Sequence, residues 1–241
     1  MFIINTCKDL NEDIFNELSS NIIFEHVTNG RLGAILISNE NKTKNIVRTT
    51  TNYNNPVQYF LPIHYNIIKC IQKEIPFDIQ FNNAMIEIYD NTYTKMKYHT
   101  DQYLDLDDNS YICIYSCYQY PTKYPRKLVI KEKNQQCIQE ILLQNNVFVV
   151  FDTNTNKNYL HKIIGNNLDN NKWLGITFRL SKTFIKIING IPYFVNNNKQ
   201  LTMATQNEKT EFYKHKNLEN LNVQYNYPEI NYTISNQDIL N

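Results

Sequence analysis

The sequence predicts a mainly β (α+β) fold: a double-stranded β-helix, or jelly-roll, core with supporting N-terminal helices and a C-terminal helical extension. Eight short apolar segments follow one another between residues 83 and 188, and clusters of Asn, Asp, Lys and Pro separate them. Many short strands at close spacing are typical of closed or double-sheet β architectures. The length of 241 residues suits one domain, or one domain with an extension.

Two segments ahead of these strands are predicted to be helices. Residues 10–20 and 56–75 place Leu, Ile and Phe at intervals of three and four, which brings them onto one helix face. Between the two, residues 31–38 (RLGAILIS) read as a strand.

From residue 83 onward the pattern changes to short strands. A jelly roll pairs two sheets and leaves a mouth at which a binding site can lie. The predicted strands are 83–90, 110–118, 127–132, 138–143, 147–152, 159–165, 173–180 and 184–188.

The last part of the chain is more polar and lacks the pattern of short apolar strands. Residues 201–241 are predicted to form a polar extension to a domain made by residues 1–200. Thr205–Glu208 (TQNE) has the form of a capping box, and residues 209–221 behind it are predicted to form a surface helix.

Composition narrows the class of protein. The net charge of +1 gives no global preference for nucleic acid or an anionic membrane. The five cysteines are odd in number and form no CxxC pair, which favours reduced thiols. No apolar stretch reaches about 18 residues. We therefore expect a soluble intracellular protein with no membrane partner, cytoplasmic in a cell or encoded by a virus and present in the host cytoplasm.

A histidine and an aspartate two residues apart, His99 and Asp101, lie in the segment KMKYHTDQYLDL. On a strand such residues point to the same face, so an imidazole and a carboxylate there can hold one cation. The pair alone is weak evidence, because His-x-Asp arises easily by chance. A solvated loop is the alternative.

Two further residues follow at sequence separations that would allow them to reach the same site. His161 comes after several predicted strands, and Arg179 lies on the strand after it. Two histidines and one aspartate form the facial triad of non-haem Fe(II) oxygenases. A guanidinium can bind a carboxylate through two parallel hydrogen bonds, and Arg179 ends an apolar run where an unpaired charge would be costly.

Several segments of the chain match the motifs of a known enzyme family in their order and spacing. In FNNAMIEIYDNTYTKMKYHTD, Tyr89 lies ten residues before His99, and Phe81 and Asn82 begin the segment. The segment LLQNNVFVVFDTNTNKNYLHKI bears the second histidine, and GITFR closes the set. Over residues 45–182 the chain resembles the AlkB-like Fe(II)/2-oxoglutarate-dependent dioxygenases.

The resemblance implies an activity and a set of site residues. His99, Asp101 and His161 would be the Fe(II) ligands, and Tyr89, Thr177 and Arg179 would contact 2-oxoglutarate, with O₂ as the second cosubstrate. Such an enzyme hydroxylates or oxidatively demethylates a substrate and releases succinate and CO₂. The substrate itself is open: a nucleic acid, a protein or a small molecule.

The chain also departs from the family pattern. Glu87 stands where the family has Asn, and Trp173 where it has a first arginine for the distal carboxylate of 2-oxoglutarate. Either Lys172 or Arg179 must then bind that carboxylate, and Arg179 is favoured. Tyr103 stands where nucleobase demethylases often carry an acid, which weighs against a nucleobase substrate.

These departures leave a second hypothesis open, a jelly-roll binding or structural module with a decayed catalytic site. The acidic run Asp105–Asp108 is expected to be a solvated loop. The remaining histidines, at 26, 64 and 215, are expected to be structural or exposed.

Overall fold

The computed structural model describes residues 1–11, 13–39, 43–94, 96–135, 137–166 and 168–240. Its helices are α1 (Ile14–Ser20), α2 (Pro62–Lys73), α3 (Thr153–Asn158) and α4 (Gln206–Leu221). Its strands are β1 (Phe2–Thr6), β2 (Glu25–Thr28), β3 (Arg31–Ile37), β4 (Lys44–Asn45), β5 (Gln58–Tyr59), β6 (Asn83–Tyr89), β7 (Tyr111–Tyr118), β8 (Arg126–Glu132), β9 (Ile138–Leu143), β10 (Val147–Asp152), β11 (Tyr159–Ile164), β12 (Trp173–Arg179), β13 (Phe184–Ile188), β14 (Ile191–Phe194), β15 (Thr202–Met203) and β16 (Tyr232–Thr233). No helix in these ranges is both long and apolar enough to cross a bilayer.

Two facing sheets form the core. The large sheet has the strand order β1-β10-β7-β12-β6-β3-β2, and the small sheet has the order β11-β8-β9. His99 adds a bridge to His161 at the free edge of β11. From β6 to β12 the chain therefore passes back and forth between the two sheets, which is the winding of a double-stranded β-helix. The predicted fold class is confirmed.

Both faces of the large sheet are buried. On β7, Cys113 and Cys117 belong to an apolar cluster that includes α1 and α2, whereas Ile112 and Ile114 belong to the cluster between the two sheets. Alternate residues of a strand point to opposite faces, so a strand covered on both sides reads as a continuous apolar run. The N-terminal helices, which were predicted as supporting elements, thus cover the outer face of the β-helix.

The predicted N-terminal helices start later than the periodicity suggested. α2 begins at Pro62, and residues 58–59 of the predicted helix form β5. A proline fits the first helical position because its missing N–H would be unpaired there, and it holds the preceding residue in an extended conformation. Leu61 has φ −88° and ψ 165°.

Several elements were not predicted. α3 is wholly polar (TNTNKN) and has no apolar periodicity; it is started by the Asp152 side chain, which accepts a hydrogen bond from the Thr155 N–H at 2.5 Å. β1 pairs with β10 at the edge of the large sheet. Both elements owe their form to partners that are distant in sequence or to capping rather than to a repeating pattern.

Residues 201–240 pack on the loops at one end of the β-helix. The predicted helix is α4, and its capping box is present: Thr205 N–H donates to Glu208 Oε2 at 2.7 Å. Arg48 Nη1 donates to the Ile230 carbonyl at 2.7 Å. A small apolar cluster joins the two regions through Leu104, Phe212, Ile230, Tyr232 and Ile234. The division at residue 200 stays a prediction.

Candidate metal centre

Three side chains converge at the edge of the small sheet. His99 and His161 lie opposite each other, and their backbones exchange two hydrogen bonds, of 3.0 and 2.8 Å. Asp101 follows two residues after His99, and its Oδ1 lies 3.6 Å from His161 Nε2. One potential ligand atom of each residue lies within 4.8 Å of the other two. The described structure therefore brings together the three residues that were predicted from the sequence as metal ligands, in an arrangement that could hold a metal ion.

The protonation states suit metal ligands. Burial would raise the pKa of the Asp101 carboxyl, but Arg179 and His161 beside it hold that pKa well below its usual value. Burial and the neighbouring His161 lower the pKa of His99 to about 3. At neutral pH the cluster thus presents a charged carboxylate and a neutral imidazole, which are the forms that bind a divalent cation.

Arg179 is buried beside the cluster. Its Nε donates to Asp101 Oδ2 at 2.8 Å, so the guanidinium both neutralises and orients this carboxylate. Its Nη1 is also buried and has no hydrogen-bond partner among the described residues. A buried guanidinium N–H without a partner is costly, so this atom marks a place where a ligand would be stabilised.

A cavity of about 420 Å³ opens in front of these residues. His99, Asp101, Arg179 and Tyr89 line it. Thr177 lies on the same face of β12 as Arg179 but is not one of the lining residues, so its contact with a cosubstrate stays a prediction.

A second arginine lines the cavity and was not predicted. Arg31 Nε donates to Glu87 Oε1 at 2.6 Å, and the Tyr89 hydroxyl donates to Glu87 Oε2 at 2.5 Å. Burial and the Glu87 carboxylate raise the pKa of the Tyr89 hydroxyl well above its usual value, so the hydroxyl remains a donor. The only signal in the sequence was a single cation opening the apolar run RLGAILIS.

Neither Trp173 nor Lys172 contributes a group to the cavity. The indole of Trp173 is buried, lies over Gly175 and donates to Ser116 Oγ at 2.8 Å. Lys172 is exposed and is not a lining residue. Of the two cations considered from the sequence, the structure brings only Arg179 to the cavity.

The acidic run is not a solvated loop throughout. Asp105 is fully buried and forms an ion pair with Arg48, whose Nη2 lies 2.7 Å from Asp105 Oδ1. Only Asp108 is largely exposed. No pattern in the sequence indicated a partner 57 residues upstream. Tyr103 is buried as well, and its hydroxyl donates to the Tyr225 carbonyl, so it is not one of the residues that line the cavity.

Comparisons with known proteins add little information about the family or the activity of this chain. No family model and no curated protein matches the sequence. Among solved structures, that of the AlkB homologue OsALKBH1 aligns with 74% of this chain and 96% of its own, at 11% identity and a TM-score of 0.49. This is a distant likeness of fold and carries no argument about activity. Strand topology and the convergent side chains define the class: a jelly-roll protein with a His-Asp-His cluster that could bind a metal.

Proposed function

We propose that this chain is an Fe(II)- and 2-oxoglutarate-dependent oxygenase that hydroxylates or oxidatively demethylates its substrate. The observation that carries the proposal is the convergence of His99, Asp101 and His161 within 4.8 Å, with His99 and Asp101 on the wall of a cavity. Two imidazoles and one carboxylate on one side of an ion are the donor set of non-haem Fe(II) oxygenases, and they leave other coordination positions for ligands.

The donor set fits Fe(II). The three residues offer two nitrogen ligands and one oxygen ligand, and the carboxylate is already held in place by Arg179 Nε. When bound, Fe(II) with 2-oxoglutarate and O₂ supplies the oxidising chemistry. The chain supplies position and charge.

Charge balance supports a dicarboxylate as the second ligand. Arg31 is paired with Glu87 and Arg179 with Asp101, so these four charges, of which only that of Arg31 is partly exposed, cancel. A divalent cation alone would add two positive charges to this region, and a dicarboxylate alone would add two negative ones. The two together leave it neutral, which is the arrangement that buried charges require.

The residues around the cavity then have separate tasks. Arg179 Nη1 offers a buried, unused N–H to a carboxylate close to the metal ligands. Tyr89 offers a neutral hydroxyl, and Arg31 lies beside it: the two residues are paired in register on neighbouring strands. In this proposal Arg179 binds the carboxylate near the metal, and Arg31, rather than Arg179, is the cation for the distal carboxylate.

One observation favours the alternative of a decayed binding module. The Glu87 carboxylate already occupies Arg31, so an internal acid lies where a dicarboxylate would be anchored. The nature of the substrate does not separate the two hypotheses. Cosubstrate binding does, because a decayed module would not form the metal–cosubstrate chelate.

The decisive experiment is an anaerobic titration of the protein with Fe(II) and then with 2-oxoglutarate. The wild type is expected to develop the weak visible absorption of the chelate, and His99→Ala, Asp101→Ala and His161→Ala are expected to abolish it. His26→Ala is the matched control, since His26 is exposed on β2 and is not part of the cluster.

Absence of the absorption from the wild type, or its persistence in His99→Ala, would refute the proposal. If the chelate forms, incubation with methylated single-stranded DNA or RNA and with peptide pools follows. Mass spectrometry then identifies the substrate class from the gain of an oxygen atom or the loss of a methylene unit.

A further inference from the structure

The backbone that carries two of the three metal-site residues is held by several elements at once. β11 holds His99, through the paired hydrogen bonds to His161. α3 holds Asp101, since the Asp101 N–H donates to Asn156 Oδ1 at 2.8 Å and Asn156 Nδ2 donates to the Asp101 carbonyl at 2.7 Å. Thr100, between them, is held by neither.

Thr100 is held instead by α4, from the C-terminal region. Its N–H donates to Asn220 Oδ1 at 3.0 Å, and its carbonyl accepts from Lys216 Nζ at 2.6 Å. Its hydroxyl contacts Lys216 Nζ at 2.8 Å and donates to Glu219 Oε1. Thr100 is fully buried, so α4 satisfies every polar group of the residue between two candidate ligands.

These contacts rest on a buried ion pair. Lys216 Nζ lies 2.7 Å from Glu219 Oε1, both residues are buried, and the second Glu219 oxygen accepts from the Tyr227 hydroxyl. The only apolar side chain that α4 buries is Phe212. A buried ion pair is often no more stabilising than an apolar pair of similar volume, so stability of the fold alone does not account for it.

α4 is also fixed to the β-helix independently of Thr100. Lys133, which follows β8, donates from Nζ to the carbonyls of Glu219 and Asn222 at 2.6 and 2.8 Å. A cation at the C-terminal end of a helix pairs with carbonyls that have no partner within the helix. The helix therefore has a firm position from which to hold the loop.

The geometry points to α4 as a positioning helix for the metal centre: Lys216, Glu219 and Asn220 fix the Thr100 peptide and thereby the relative placement of His99 and Asp101. The inference rests on the proposed function. The same helix reaches the cavity, which Tyr213, Asn217 and Asn220 line, so it also forms one wall of the substrate space.

The test uses the full chain and a matched pair of double variants. Lys216→Met/Glu219→Gln removes the buried pair without leaving one charge alone. Lys214→Met/Glu211→Gln makes the same changes in an exposed pair of the same spacing on the same helix. A milder single variant, Asn220→Ala, removes the oxygen that accepts from the Thr100 N–H and that lies 3.2 Å from the Thr100 hydroxyl.

Two measurements are made on each protein: hydrogen exchange of peptides covering residues 98–102 without metal, and Mn(II) affinity by electron paramagnetic resonance. We expect Lys216→Met/Glu219→Gln and Asn220→Ala to lose protection in this segment. We expect both to bind Mn(II) about tenfold more weakly or worse, the usual cost of removing a support behind a metal ligand. The exposed-pair variant should match the wild type in both measurements.

Unchanged protection and unchanged affinity in Asn220→Ala and the buried-pair variant would overturn the inference. If the buried-pair variant fails to fold, Asn220→Ala decides. A wild type that binds neither Mn(II) nor Fe(II) would refute the proposed function instead. Hydrogen exchange would then still show whether α4 holds the Thr100 segment, with loss of protection supporting the positioning role and retention refuting it.

Discussion

At the scale of single residues, Glu87 is the unusual feature of the site. It lies between Gly33 on β3 and Gly175 on β12, in register with both. Its carboxylate joins Arg31 to the Tyr89 hydroxyl. An internal acid thus uses the cation that our proposal gives to the distal carboxylate of 2-oxoglutarate, and the two carboxylates compete for one guanidinium.

Glu87→Gln is therefore expected to bind 2-oxoglutarate more tightly than the wild type, by about tenfold or 1.4 kcal/mol. Glutamine keeps an acceptor for the Tyr89 hydroxyl but leaves Arg31 without a counter-charge. Calorimetric titration of the Mn(II)-loaded protein measures the change. Arg31→Met should bind the cosubstrate more weakly.

Glu140→Gln serves as the control for this prediction, because Glu140 is an exposed acid on β9 that pairs with Lys127. An affinity that stays the same or falls in Glu87→Gln would show that Arg31 does not hold the cosubstrate. The direction of the change in 2-oxoglutarate affinity thus shows whether Glu87 competes with the cosubstrate or takes part in binding it.

The sequence showed the metal ligands because their signal is local and ordered: His-x-Asp spacing, a later histidine and a strand arginine. Arg31 was not predicted as a site residue, because only the strand register brings it beside Tyr89, 58 residues later in the chain. The burial of Lys216 and Glu219 was not predicted, because charged residues on a polar helix are usually exposed to solvent. Their burial depends on a partner, Thr100, in a distant loop.

At the scale of elements, α2 shows how a titratable group can be built into a helix start. His64 is fully buried, and its Nδ1 accepts from the Leu61 N–H at 2.9 Å. This is the position where a capping box usually carries Glu or Gln. Burial lowers the pKa of His64 to about 4, against an ordinary value of 6.5. The folded helix thus favours the neutral ring over the protonated one.

Stability should therefore fall as the pH drops from about 6.5 to about 4, because the unfolded chain gains a proton on His64 that the folded chain does not. The loss from this group is on the order of 3 kcal/mol. His64→Gln keeps an acceptor that does not titrate. Urea unfolding of both proteins across this pH range should show a steeper loss in the wild type. Parallel curves would mean that His64 does not titrate differently on folding.

At the scale of the whole molecule, one ion pair joins three distant parts of the chain. Arg48 precedes residues 49–51, which line the cavity, and it pairs with Asp105, four residues after Asp101. Its Nη1 donates to the carbonyls of Ile230 and Tyr232. All the partners are buried at this point. The C-terminal region should consequently unfold together with the β-helix in one transition.

Arg48→Met should destabilise the protein by about 3–5 kcal/mol, since it leaves the Asp105 carboxylate buried without its cation. Denaturant unfolding measures the change. Lys73→Met is the control: Lys73 pairs with Asp9 at 3.0 Å, but both side chains are about two-thirds exposed, and solvent already screens them. Equal effects of the two substitutions would contradict the linking role of Arg48.

Trp173 replaces the expected arginine and leaves the cavity without that cation, yet it gives the molecule a useful optical property. It is the single tryptophan of the chain. Its ring centroid lies 4.8 Å from that of Tyr89, which in turn touches Glu87. All indole fluorescence of the protein therefore originates one side chain away from the proposed cosubstrate site. The chain carries an intrinsic chromophore whose emission comes from one position next to that site.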